Sequence, residues 1–130
     1  MATISKLKKK LDKIFSEYIR LRDSDYKGNC KCISCGKEAP AFGGSIHAGH
    51  LFSRRYLSIR FDEKNVNSQC SYCNTFLNGN QLLAARGVEN KWGKGTVDDL
   101  ESRMHITTKL NRVDYEEAIE IYKQKIRELN

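Results

Sequence analysis

Near the N-terminus Leu7, Leu11, Ile14, Phe15 and Tyr18 recur at helical spacing, while Lys8, Lys9, Lys10 and Lys13 lie mostly on other faces. The pattern predicts an amphipathic basic helix within residues 1–27. Its stripe should face a core and not a membrane, because the mixed charges Arg20, Arg22, Asp23 and Asp25 follow it. At the other end Tyr115, Ala118, Ile119, Tyr122, Ile126 and Leu129 form a second stripe, with Asp114 expected as its cap and Glu117 at the third position. Another start signal, Thr96 followed by Asp99, precedes Leu100 and Met104, so residues 83–130 are expected to be a helical region. The period changes between these ends. Gly43-Gly44, a short Ser45 to Phe52 segment, a basic loop and Val66 leading toward Cys70 predict two short strands joined by a loop, then a helix from about Tyr72. The expectation is an α+β fold in one domain, 1–130, with a small core at 28–82 flanked by N- and C-terminal helices.

The centre of the chain carries Cys32-Ile33-Ser34-Cys35 and Cys70-Ser71-Tyr72-Cys73. Each pair puts two thiolates on a tight knuckle, and two knuckles complete the tetrahedral sulfur shell that zinc prefers in a structural site. Far more than the roughly 15–20 residues of the simplest ribbon separate Cys35 from Cys70, so something else is folded between them. No apolar leader precedes the first helix, and a reducing cytoplasm is the expected setting, where stable disulfides are uncommon and zinc is the better reading. A thioredoxin-like use of either pair would need a strand and helix crossover pattern that the sequence lacks. Cys30 offers a competing ligand. Cys32 is preferred because its spacing to Cys35 equals that of Cys70 to Cys73.

Composition narrows the partner. Hydrophobic residues make up 39% of the chain, enough for a modest core that a metal would reinforce. Lys and Arg number 23 against 16 Asp and Glu, a formal net charge of +7. Such an excess can simply solubilise a surface; beside a metal motif it points to a polyanion, because neutralising phosphates releases condensed counterions. A zinc base deaminase is excluded by its missing signature, since His50 is followed by Leu51 and Phe52, and Gln69 instead of proline precedes Cys70.

A strand bearing His50, a loop bearing Asn65 and a helix after a cysteine knuckle resemble, in that order, the His-Asn-His nuclease motif, or ββα-metal fold. The likeness sharpens over roughly residues 10 to 104. Cys32-Ile-Ser-Cys35-Gly, Ala48-Gly-His50, Leu57-Ser-Ile-Arg60-Phe61-Asp-Glu63-Lys-Asn65, Gln69-Cys70-x-x-Cys73-Asn74 and Asn78-Gly79-Asn80 together resemble the NinG (Rap) recombination endonucleases of lambdoid phages. The resemblance implies a phage or prophage enzyme of the bacterial cytoplasm. It would hydrolyse branched DNA, such as displacement loops and four-way junctions, alongside other phage or host recombination proteins. Structural Zn2+ and a catalytic Mg2+ or Mn2+ are its implied cofactors.

The same resemblance implies roles for residues. His50 is the general base, a task that suits an imidazole near neutral pH, and Asn65 holds the loop that orients it. Asn74 is the helix-side ligand of the catalytic cation, with Asn78 as the alternative, either on the same helical face or in a turn. Many relatives place an acidic or histidine ligand immediately before the base, where this chain has Gly49. His47 is then the nearest strand-side candidate, standing where the phage members carry an aspartate. Phe76 occupies a place where a relative can carry histidine, so that position is not an obligatory ligand.

Arg54 and Arg55, just after the base, are expected to grip phosphates. Lys91 and Lys94 flank Trp92 in a basic loop whose tryptophan either meets an exposed base or anchors a small core. Arg60 reads as structural. The terminal helices are long enough to support a homodimer, unless their stripes pack on each other. The competing class is a zinc-ribbon-like DNA-binding or scaffold module without catalysis, which explains the cysteines and charge but leaves His50, Asn65 and Asn74 unexplained.

Overall fold

The computed structural model describes residues 2–129, so the two terminal residues of the expected domain lie outside the described residues. Helix α1 (Ile4–Asp23) opens on Thr3, whose hydroxyl accepts from the Lys6 amide, and buries Leu7, Leu11, Phe15, Tyr18 and Ile19. Helix α5 (Arg112–Leu129) lies against it. Tyr115 and Ile119 pack on Leu7 and Leu11, and Tyr122 meets the rings of Phe15 and Tyr18 at 4.9 and 5.2 Å. The two apolar stripes are therefore spent on each other. Glu63 ties this pair to the centre, accepting from the hydroxyls of Tyr18 and Tyr122 and from Lys125 Nζ. Burial, then the Glu63 hydrogen bond, pushes the Tyr18 phenol up to about 12.

Two helix starts differ from expectation. Asp114 is the third residue of α5, not its cap: its amide donates to Asn111 Oδ1 at 2.9 Å and its carboxylate accepts from the Asn111 amide at 2.8 Å, a reciprocal capping box one turn earlier. In α4 (Thr96–Met104) Thr96 is already helical and its hydroxyl donates to the Gly93 carbonyl. The free amides of Gly95 and Val97 are satisfied by Glu89, which reaches across from α3 (Gln81–Trp92). Sequence spacing identified the helices; the α5 cap is a local box three residues wide, whereas the α4 cap comes from Glu89 in the preceding helix.

The centre holds two antiparallel pairs. β1 (Asn29–Lys31) and β2 (Glu38–Pro40) form a short hairpin around the first knuckle that periodicity did not reveal, each strand having three residues. β3 (Ile46–His50) and β4 (Val66–Cys70) are the two expected strands, with His50 opposite Val66 and Ile46 opposite Cys70. All five residues of β4 are buried, although three are polar. A one-turn helix α2 (Leu57–Arg60) sits in their connection.

The helix expected from about Tyr72 is shorter than anticipated. A π-helical turn covers Tyr72–Phe76, and the chain then breaks at Asn78 and Asn80, both left-handed with φ of 50° and 43°. Asn78-Gly79-Asn80 is thus a turn and not a continued helix face. The elements are α and β within small separate sheets, an α+β architecture. No described helix is long and apolar enough to cross a membrane.

A second core joins Leu51, Ile59, Ala84, Val88 and Leu100, with Ile33 of the first knuckle and Trp92 packed against it. Gly87 of α3 lets this packing close: a Cβ there would stand 2.0 Å from the Ile33 carbonyl oxygen, a backbone atom that cannot swing aside. Replacing glycine by alanine normally strengthens a helix by up to about 1 kcal/mol. Here Gly87→Ala is expected to destabilise by about 1–3 kcal/mol as the clash pushes α3 off the knuckle. Thermal or denaturant unfolding measures the sign directly.

Candidate functional site: a cysteine cluster beside a histidine cleft

Cys32, Cys35, Cys70 and Cys73 converge, with their sulfur atoms all within 4.8 Å of one another and Cys35 Sγ 3.7 Å from Cys70 Sγ. Sulfurs on a tetrahedral zinc with bonds of about 2.3 Å lie about 3.8 Å apart, so the donor set fits that ion. Backbone and side-chain donors already face the sulfurs. The amides of Ser34 and Cys35 point at Cys32 Sγ, the Cys73 amide at Cys70 Sγ, and Asn80 Nδ2 at Cys73 Sγ. Burial opposes ionisation of Cys32, yet these amides bring its thiol down to about 7. Burial pushes Cys73 up to about 12. Four thiolates this close need a cation; a divalent metal displaces their protons. Cys30 stands apart, its thiol donating to the Arg20 carbonyl at 3.2 Å. Cys32, and not Cys30, completes the cluster.

Next to the cysteines lies a cleft of about 460 Å³ lined by Ser16, Arg20, His47, His50, Arg54, Asn74 and Asn78, among others. His50, the last residue of β3, bonds through Nε2 to the Arg60 carbonyl at 2.9 Å. That bond places the ring proton on Nε2 and leaves Nδ1 with a free lone pair. Burial, reinforced by the charges of Arg54 and Arg60, lowers the His50 imidazole to about 4. Arg60 is held in turn by Asp12 of α1 through two parallel hydrogen bonds. The position of the imidazole is therefore set from α1. Spacing gave no hint of the Asp12 partner, because it lies in a different element.

Asn65 is fully buried and clamps the segment that follows His50. Its Oδ1 accepts from the Phe52 amide at 2.9 Å, and its Nδ2 donates to the carbonyls of Phe52 and Ile59, both at 3.1 Å. Across the cleft the Asn74 amide donates to His47 Nδ1 at 2.9 Å, leaving the amide oxygen without a protein partner among the described residues. Asn78 joins them from the turn. Gly49 faces away, toward Gln69: a Cβ there would lie 2.3 Å from Gln69 Oε1. Gln69 is itself committed, donating to Ser34 Oγ and to the Gly79 carbonyl, so it braces both the knuckle and the turn that carries Asn78. A ligand side chain at position 49 has no room.

The basic residues divide. Arg54 lines the cleft, whereas the Arg55 guanidinium lies 5.1 Å from the Tyr56 ring centroid and does not. Lys91, expected to contact DNA, is exposed and engaged within the chain: its Nζ is 2.7 Å from Asp23 Oδ1 and 2.9 Å from Asn67 Oδ1. Trp92 donates to the same Asn67 oxygen at 3.1 Å and packs on the second core, so it anchors structure. Lys94 is exposed and lies outside the cleft lining. Arg20 and Ser16, which the sequence did not single out for this site, do line it.

These features define a small α+β protein with a four-cysteine cluster that could hold a metal ion, set beside a histidine-lined cleft. The family model described as Bacteriophage Lambda NinG protein matches residues 2–130, and the chain belongs to the NinG family of phage proteins. It is 32% identical over 125 residues to Protein ninG of Escherichia phage 933W, an alignment covering 93% of this chain and 57% of that protein. Protein ninG of Salmonella phage P22 is likewise 32% identical, over 93% of this chain and 56% of its own length. Protein ninG of Escherichia phage lambda is 30% identical with the same coverage. The chain spans little more than half the length of these relatives. No solved structure matches it.

Proposed function

We propose that the protein is a metal-dependent DNA endonuclease whose general base is His50, acting on branched recombination intermediates. One observation carries this reading: His50, its Nε2 fixed by the Arg60 backbone carbonyl, lines a cleft that also contains His47, Asn74, Asn78 and Arg54. The antiparallel β3–β4 pair followed by the knuckle and the π-turn supports a ββα-metal arrangement.

In this reading Nδ1 takes the proton of the attacking water. Arg54 holds a phosphate oxygen, and that phosphate's negative charge raises the basicity that burial and the two arginines otherwise lower. Asn65 keeps the segment carrying Arg54 at a fixed distance from the imidazole. A divalent cation would be held by His47, Asn74 and Asn78, completed by the phosphate, since the cleft lining contains no carboxylate. When bound, such an ion neutralises charge on the departing oxygen. Zinc on the four cysteines would be structural.

The test is cleavage of branched and linear DNA with magnesium or manganese beside a chelator control. Binding without cutting under every divalent ion would replace this reading with a non-catalytic zinc-dependent DNA-binding module. The division between the two arginines adds a sharper expectation. Arg54→Ala should flatten the dependence of log affinity on log salt by about one contact, and Arg55→Ala should leave it unchanged. Equal effects from both would place the phosphate path outside the cleft.

A further inference from the structure

The cleft does not end at His50; its α1 wall continues as a stripe of positive charge. Lys9, Lys13, Ser16 and Arg20 follow one another at alternating steps of four and three, which places them on one face of α1, with Lys6 beside Lys9. Ser16 and Arg20 line the cleft, so the stripe runs from its wall toward the N-terminus over about 20 Å at 1.5 Å per residue. This face lies opposite the buried residues Leu7, Leu11, Phe15 and Tyr18, and Lys6, Lys9 and Lys13 are all exposed. Among the described residues none of the three lysines makes an ion pair. Asp12, a carboxylate on the same helix beside the stripe, is occupied by Arg60. Glu17 flanks the stripe beyond Lys13 without pairing to it.

An unneutralised cationic track leading into a polar cleft fits one class of partner, a nucleic-acid phosphate backbone. We propose that α1 is the guide rail of this protein: one DNA strand runs along Lys6, Lys9 and Lys13 and enters the cleft past Arg20. The proposal rests on the nuclease reading for where the strand goes, and on charge and continuity for the strand itself. It also gives α1 a second duty beside the stripe, since Asp12, on the flank of that face, positions Arg60 and hence His50.

The experiment measures DNA affinity against salt for the whole chain and for the triple variant Lys6→Ala, Lys9→Ala, Lys13→Ala. Alanine preserves helix propensity, and the three exposed side chains make no hydrogen bond or ion pair among the described residues, so folding is checked by circular dichroism and thermal unfolding. A charge-matched control removes Lys27, Lys109 and Lys37 instead, all exposed and off this face. The triple variant is expected to lower the salt slope by about 2.7 and to weaken binding at moderate salt by on the order of a hundredfold, the control by much less. Wild-type affinity should rise when DNA arms are extended to the length of the stripe, and the triple variant should lose that gain. A triple variant with the wild-type slope, or a control with an equal loss, overturns the proposal, as does failure of the wild type to bind DNA. If the wild type binds with this pattern and never cuts, the rail stands and the nuclease reading falls.

Discussion

Cys70→Ser is expected to abolish metal binding and, with it, cooperative folding. Cys70 ends β4, its backbone opposite Ile46 of β3 and its sulfur facing Cys35 of the first knuckle at 3.7 Å, so one residue joins the strand pair to the knuckle. The core around it is thin: beyond the cysteines it contains only Ala39, Ala41 and Ile46 among buried residues. The β1–β2 hairpin has three residues per strand, and an isolated hairpin of that size is marginal in water. A structural zinc site contributes about 10–16 kcal/mol in apparent terms, comparable with the whole stability of a small domain. Elemental analysis should therefore find about one zinc per chain, and chelation should lower or remove the thermal transition. Cys30→Ser is the matched control; its thiol bonds to the Arg20 carbonyl outside the cluster, so metal content should be unchanged. Metal-free protein that melts normally in chelator would refute the structural-site assignment.

What the sequence disclosed and what it concealed follow from the range of each interaction. The α1 and α5 stripes, and the two knuckles, are patterns with a local period or a matched spacing, and they read directly. The β1–β2 hairpin did not, because three-residue strands leave no period to detect. The end of the helix at Phe76 depended on Asn78 and Asn80 adopting left-handed backbone, and asparagine permits that conformation without requiring it. Lys91 looked like a free cation because Asp23 and Asn67, its partners, lie far away in sequence. Burial works against ionising Asp23, yet Arg22 and Lys91 hold its carboxyl below the usual range, and burial pushes the Lys91 ammonium down; this is an internal network. Gly49 is the instructive case. In isolation it looked like a missing ligand, whereas its position against Gln69 makes it a packing residue, and the cleft-facing groups nearby are His47 and His50.

If the proposed nuclease reading holds, His50→Ala is expected to reduce DNA cleavage by about a hundred- to ten-thousand-fold, the usual worth of a general base, while leaving metal content and DNA affinity intact. The separation is possible because the one hydrogen bond of the imidazole among the described residues goes to the Arg60 carbonyl and none goes to the cysteine cluster. Asn65→Ala should behave differently. It strands the Phe52 amide and the Phe52 and Ile59 carbonyls, each costing about 1–3 kcal/mol if water cannot reach it, so stability and turnover should fall together. Asn74→Ala should shift half-saturation to higher magnesium or manganese, because it removes an amide oxygen and not the base. The pH dependence supplies an independent check. The His50 pKa of about 4 in the fold lies below its ordinary 6.5, so between those values the unfolded chain binds a proton that the folded chain refuses. Its contribution to stability is complete above pH 6.5 and is lost as pH falls toward 4. For the same reason the acid limb of kcat/KM should lie below pH 6.5, displaced only as far as bound phosphate in the complex raises the imidazole. Cleavage by His50→Ala at the wild-type rate across that range would remove His50 from catalysis.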